Sequence, residues 1–112
     1  MRPGQLQPND FEVAMLLRLT HDTPLGRTSF DKLHVLSRKF TGVGSFTDFV
    51  CPDAGAETQL HLAETIHVPG VPHGLGAVLF LRDNQPRFLE LFTLGDDKWD
   101  GVYEGFSVGS VA

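Results

Sequence analysis

Two apolar runs, residues 77–81 and 88–94, flank the polar stretch Asp83-Asn84-Gln85-Pro86 and predict two neighbouring strands at the centre of a core. Residues 75–81 are apolar at both parities, the pattern of a central strand covered on both faces. Further upstream, an extended stretch over 34–40 and a strand over 46–50 flank Thr-Gly-Val-Gly-Ser at 41–45. Two glycines within three residues supply the positive φ of a tight reversal, so this segment predicts a hairpin. Residues 59–68 alternate and predict a third strand, while 51–55 and 69–74 have loop composition. Residues 102–108 predict either a last short edge strand or a segment wrapping the domain, and the tail at 109–112 frays.

The segment FEVAMLLRLTHD, beginning at Phe11, is two-sided. Phe11, Val13, Met15, Leu17 and Leu19 alternate as in a strand, but Ala, Met, Leu, Arg and Glu are helix formers and β-branched residues are nearly absent. Asn9 with Glu12 has capping-box spacing, and Thr23-Pro24 suits a helix stop, so the prediction is a helix over Asp10–Thr20. Residues 1–8 form a flexible lead-in, 24–29 a polar connection, and 30–33 an additional short helical turn.

These elements sum to an α+β fold: an N-terminal helix packed on a curved, largely antiparallel, five-stranded sheet in a single domain over 9–112. One short helix does not cover both faces of such a sheet. Either the sheet curls on itself or a second chain covers it, and a homodimer is the expectation.

Composition narrows the function classes. Nine basic against fourteen acidic residues give a net charge of -5, and Arg38-Lys39 is the only adjacent basic pair, which argues against nucleic acid as partner. Nine phenylalanines supply much of the core. A lone cysteine, Cys51, excludes an intrachain disulfide and points to a reducing compartment. The N-terminus lacks the apolar stretch of a secretory signal, and no run reaches the ~20 residues of a membrane span. The expectation is a cytoplasmic protein without membrane partners.

RKFTGVGSFTDF at 38–49 and HGLGAVLFLRDNQPRFLELFTLGDDKWDG at 73–101 together resemble a group of small uncharacterised bacterial proteins. That group shares a TGVG turn, an apolar LF strand, a turn, then LE and a later Trp. The resemblance covers turn and strand features and implies a compact α+β domain; it carries no activity across. In the group the turn is usually Asp-Gly, where this chain has Asp83-Asn84-Gln85-Pro86.

Candidate chemistry comes from four sets. His61, His67 and His73 are spaced by six, which places His61 and His67 on one strand face but about 20 Å apart, too far for one metal ion; no metal and no cofactor are expected. Glu90, Glu64 and Asp48 share parity with apolar neighbours, so a buried position for them demands a partner such as Arg38 or Arg82 or a raised pKa. The opposite parity, with Leu89 and Leu91 inside, is the competing arrangement. Gly42-Val43-Gly44 and Gly74-Leu75-Gly76 lack the strand–helix context of a phosphate loop, and Cys51 has no placed base. Trp99, Tyr103 and Phe106 stand among Gly and Asp and are either a partner surface or a lid on the core.

With no coherent catalytic signature, the expected function is a non-enzymatic binding or interaction module, such as an immunity or accessory protein, with Trp99 and Tyr103 on the partner surface. The alternative is a small-molecule ligand-binding domain or small enzyme. It places Glu90, Glu64 and Asp48 in the sheet concavity with Arg38 as charge partner.

Overall fold

The computed structural model describes residues 7–23, 30 and 33–109. They form helix α1 (Asp10–Thr20) and strands β1 (Val35–Phe40), β2 (Gly44–Phe49), β3 (Glu57–His61), β4 (Thr65–Val68), β5 (Val71–Arg82), β6 (Gln85–Thr93) and β7 (Ser107–Gly109). Most of the lead-in, the 24–29 connection, positions 31 and 32 of the expected extra turn, and the last three residues of the tail lie outside the described residues. Among the described residues no helix is long and apolar enough to cross a membrane.

The fold is α+β: the described residues form one helix and an antiparallel sheet ordered β1-β2-β6-β5-β4-β7, with β3 also pairing β5. The sheet has seven strands rather than five. The segment read as one strand over 59–68 is two, because β5 is twelve residues long and its outer edge takes two short partners in succession. β3 pairs Val78–Arg82, β4 pairs the Val71–Leu75 half, and Leu62-Ala63-Glu64 joins them. The alternation runs through this break without a glycine or proline to mark it. The loop expected at 69–74 shrinks to a turn at Pro69-Gly70, since Val71 to His73 already belong to β5.

α1 forms where helix formers and the cap agree. The Asn9 side chain accepts from Glu12 N at 2.8 Å, and the Glu12 carboxylate accepts from Asn9 N at 2.9 Å. Phe11, Met15, Leu16 and Leu19 are buried while Leu17 is 45% exposed, so the apolar stripe has helical period and the strand-like alternation is incidental. α1 packs against β5 and β3. The rest of that sheet face is covered by Phe30, Leu33 and the C-terminal segment with Trp99, Tyr103 and Phe106.

The β5–β6 turn is two residues, Asp83 and Asn84, both left-handed at φ 52° and 58°, as a primed hairpin turn requires. Gln85 and Pro86, expected in the turn, belong to β6, and the register shifts where Leu81 meets Pro86, which has no N–H for the ladder. On β6, Leu89 and Leu91 are buried toward the helix. Phe88, Glu90 and Phe92 therefore face the other way.

In the TGVG turn the two glycines have different jobs. Gly42 has φ +89° with open space around it, whereas a Cβ on Gly44 would sit 2.2 Å from the Leu91 carbonyl oxygen of β6. Gly44→Ala is therefore expected to force β2 off β6 and cost at least ~2 kcal/mol in urea unfolding, against ~1 kcal/mol for Gly42→Ala. Equal, small losses for the two variants would show that the close β2–β6 approach does not depend on Gly44.

Candidate functional site

The polar centre of the helix-side face is Glu12. Its carboxylate accepts from Asn9 N (2.9 Å), Arg38 Nη2 (2.6 Å), Arg38 Nε (2.8 Å) and Thr47 Oγ1 (2.9 Å). One side chain in the first turn of α1 thus binds β1 and β2 together. Glu12 is 4% exposed and Arg38 35%. Four donors occupy the four lone-pair sites of the carboxylate, which leaves none to take a substrate proton. The Glu12 hydrogen bond raises the Arg38 pKa above its ordinary value, against a smaller opposing effect of burial. Arg38 Nη2 also donates to the Gln7 carbonyl at 2.9 Å.

The C-terminal segment packs across this network. Tyr103 stacks on Phe11 with ring centroids 4.3 Å apart, Phe106 meets Phe11 edge-on at 4.8 Å, and Tyr103 Oη accepts from Asn9 Nδ2. Burial, then the Glu12 charge, raise the Tyr103 pKa, so at neutral pH the phenol keeps its proton. Trp99 is 3% exposed; its indole N–H donates to the Val102 carbonyl at 2.9 Å and its backbone N–H to the Gly42 carbonyl at 3.0 Å. The TGVG turn thereby anchors the tryptophan. Phe40, 48% exposed, meets Trp99 edge-on at 5.8 Å.

Between these groups lies an open pocket of about 270 Å³. Phe11 and Tyr103 form one wall, Phe40 and Trp99 the other, Leu91 and Ser45 line it, and Arg38 stands at its polar end. Among the described residues the Ser45 hydroxyl and Arg38 Nη1 have no hydrogen-bond partner, so the pocket offers donors set in aromatic walls.

Of the residues singled out in the sequence, the fold brings together Arg38, Trp99 and Tyr103. Trp99 is a wall and lid of the core, and Tyr103 is half-buried. The three strand acids do not converge on them. Glu64 sits between β3 and β4 and pairs with Arg18 at 3.3 Å. Asp48 accepts from the Ser37 hydroxyl at 3.0 Å, and Glu90 lies among phenylalanines on the face away from the helix. His61 and His67 are exposed, while His73 binds Asp97 through its ring Nδ1 at 2.9 Å and its backbone N–H at 3.1 Å. Those two hydrogen bonds hold the Asp97 carboxyl below its ordinary pKa. Among the described residues no three of His, Cys, Asp and Glu are grouped to hold a metal ion.

Glu12, Phe40 and Ser45 were not legible as site residues. For Glu12 a signal existed: it lies four and seven residues before Leu16 and Leu19, on the buried stripe of the helix. No family model, curated protein or solved structure matches the chain.

Glu12→Ala strands Arg38 and Thr47 and removes half of the capping box; unfolding free energy should fall by about 3 kcal/mol. A loss under ~1 kcal/mol would mean that water satisfies Arg38 equally well. Tyr103 is the only tyrosine, so phenolate absorbance reads it directly. Its titration midpoint should lie above 10.0 in the folded protein and return to that value on unfolding. The folded state then binds the extra proton, so the stabilisation from Tyr103 is complete below the unfolded pKa and lost as pH rises through the folded one. A folded midpoint at or below 10.0 contradicts the buried phenol.

Proposed function

We propose that this chain is a non-enzymatic binding module and that its site is the aromatic-walled pocket between α1, the β1–β2 hairpin and the Trp99–Tyr103 segment. The observation that carries this reading is the gathering of Arg38, Tyr103 and Ser45 donors between the Phe40, Trp99 and Phe11 rings. An apolar or aromatic group bearing a hydrogen-bond acceptor at its inner end satisfies both parts of such a site. Its acceptor meets Ser45 and Arg38 Nη1, and its body fills the space between the rings.

Binding fits this arrangement better than catalysis because Glu12, its one buried carboxylate, is saturated by its own neighbours. The strand acids of the enzyme alternative support no shared site, since Glu64 lies at the β3–β4 break while Asp48 and Glu90 lie on the opposite sheet face. Asp96, Asp97, Asp100 and Glu104 flank the pocket in sequence, so a partner protein presenting the group would carry basic residues around it. An immunity or accessory role is the biological version of this reading, and the resemblance to small bacterial proteins is compatible with it.

Phenylacetate, an aromatic ring with a carboxylate acceptor, is a suitable probe. Trp99 is the only tryptophan, so its indole N–H gives a single resonance. Titration should shift that resonance saturably with millimolar affinity, as befits so small a ligand. Phe40→Ala should weaken binding about fivefold through loss of one ring wall, and Ser45→Leu should abolish it by filling the pocket. An unmoved Trp99 resonance, or identical titrations for wild type and Phe40→Ala, rejects the site.

A further inference from the structure

The face of the sheet away from α1 is apolar where an open sheet face is ordinarily polar. Phe46 on β2, Phe88 and Phe92 on β6, and Val78 and Phe80 on β5 form one patch in register. Phe80 stacks on Phe88 at 4.2 Å and Phe46 meets Phe88 edge-on at 6.0 Å. Gly76 makes room for the patch: a Cβ there would fall 2.7 Å from the Phe92 ring and 3.1 Å from Leu94. Leu94, 49% exposed, extends the patch at that end. The four phenylalanines are half-buried by one another and by the Arg87 guanidinium, 4.8 Å over the Phe88 ring, and among the described residues no helix or further strand packs on them. The domain measures 37 × 33 × 21 Å, and its short axis has the thickness of one sheet and one helical layer.

We propose that this phenylalanine face is a self-association surface that takes a second copy of the chain, sheet against sheet. Two observations select that occupant. The first is electrostatic. The chain carries a net charge of -5, yet the cross-strand row over this face reads Lys39, Phe46, Glu90, Val78, His61, and the next reads Ser37, Asp48, Phe88, Phe80, Gln59. Across the face Lys39, Arg82 and Arg87 stand against Glu90, Asp48 and Glu57, three charges of each sign, with Glu57 paired to both arginines. The face is therefore nearly neutral, so an equally acidic copy is not repelled there, and a basic partner has stronger attractions elsewhere.

The second observation is area and shape. Two side-chain rows span five strands and a third, Gly44, Phe92 and Gly76, spans three; at ~4.8 Å between strands and ~6.8 Å between rows the face projects to roughly 420 Å². Side-chain relief and the flanking Leu94 and Leu36, the latter 61% exposed, bring it toward the ~800 Å² that each partner contributes to a standard dimer. Two sheets of one twist pack aligned at about −30° and ~10 Å apart, so a copy has the complementary shape by construction. This surface is on the far side of the sheet from the aromatic pocket, and the two proposals stand independently.

Sedimentation equilibrium of the wild-type chain tests it, with Phe80→Lys and Phe46→Lys as variants and Leu17→Lys on the helix as control. The expected result is a species of twice 12.3 kDa at sub-millimolar concentration. Its dissociation constant should rise at least tenfold in a variant that keeps the helical circular dichroism, and stay unchanged in Leu17→Lys. Phe46 meets Phe88 only edge-on at 6.0 Å whereas Phe80 stacks on it at 4.2 Å, so Phe46→Lys disturbs less packing and serves if Phe80→Lys does not fold. A monomeric wild type over that range, or a dimer equally strong in the folded face variant, overturns the proposal. Phe80→Lys should also leave phenylacetate binding at Trp99 intact, which separates loss of the dimer from loss of the pocket.

Discussion

A single buried carboxylate ties the two layers of this domain together. Glu12 caps its own helix through Asn9, and the same oxygen atoms hold Arg38 of β1 and Thr47 of β2. Removing such an anion from water is costly, and only a complete set of donors offsets that cost. Much of the local geometry follows from meeting this condition. The helix must begin where it does, β1 must turn Arg38 inward although most of that strand is exposed, and Tyr103 must close over Asn9.

That closure explains why the C-terminal segment, with so little regular structure, is ordered against the core. Tyr103 and Phe106 pack on Phe11, Trp99 is pinned by Gly42 and Val102, and β7 finishes the segment by pairing β4. The pocket is what remains between the two anchoring points. Its polar end is the spare edge of the Glu12 network, and its walls are the aromatic rings that shield that network from water. Structure and binding capacity therefore come from the same residues.

The sheet has two apolar faces of different character. The helix-side face is aliphatic, with Leu75, Leu79, Leu89 and Leu91 buried against α1 and the C-terminal segment. The outer face is aromatic and partly shields itself, since stacked rings cover one another and leave Val78 at 7% exposure. Phenylalanine suits this position because flat rings cover a pleated surface well while remaining available for a further layer.

The chain alone determined its α+β class, the helix with its Asn9–Glu12 cap, the hairpins at 41–45 and around Asp83, and the apolar β5–β6 centre. Each of these depends on local chemistry: helix propensity and capping, the φ preferences of Gly and Asn, and alternation along a strand. Only tertiary structure decided that the 59–68 segment splits, because the break is imposed by the length of β5 and not by any local breaker. It likewise decided which parity of β6 is buried, since both Leu89 with Leu91 and Phe88 with Phe92 are apolar and the helix had to choose. The partner of Arg38 was also beyond local reading. Glu12 lies twenty-six residues away, and hydrogen bonds between such distant positions leave no periodic trace in a single sequence.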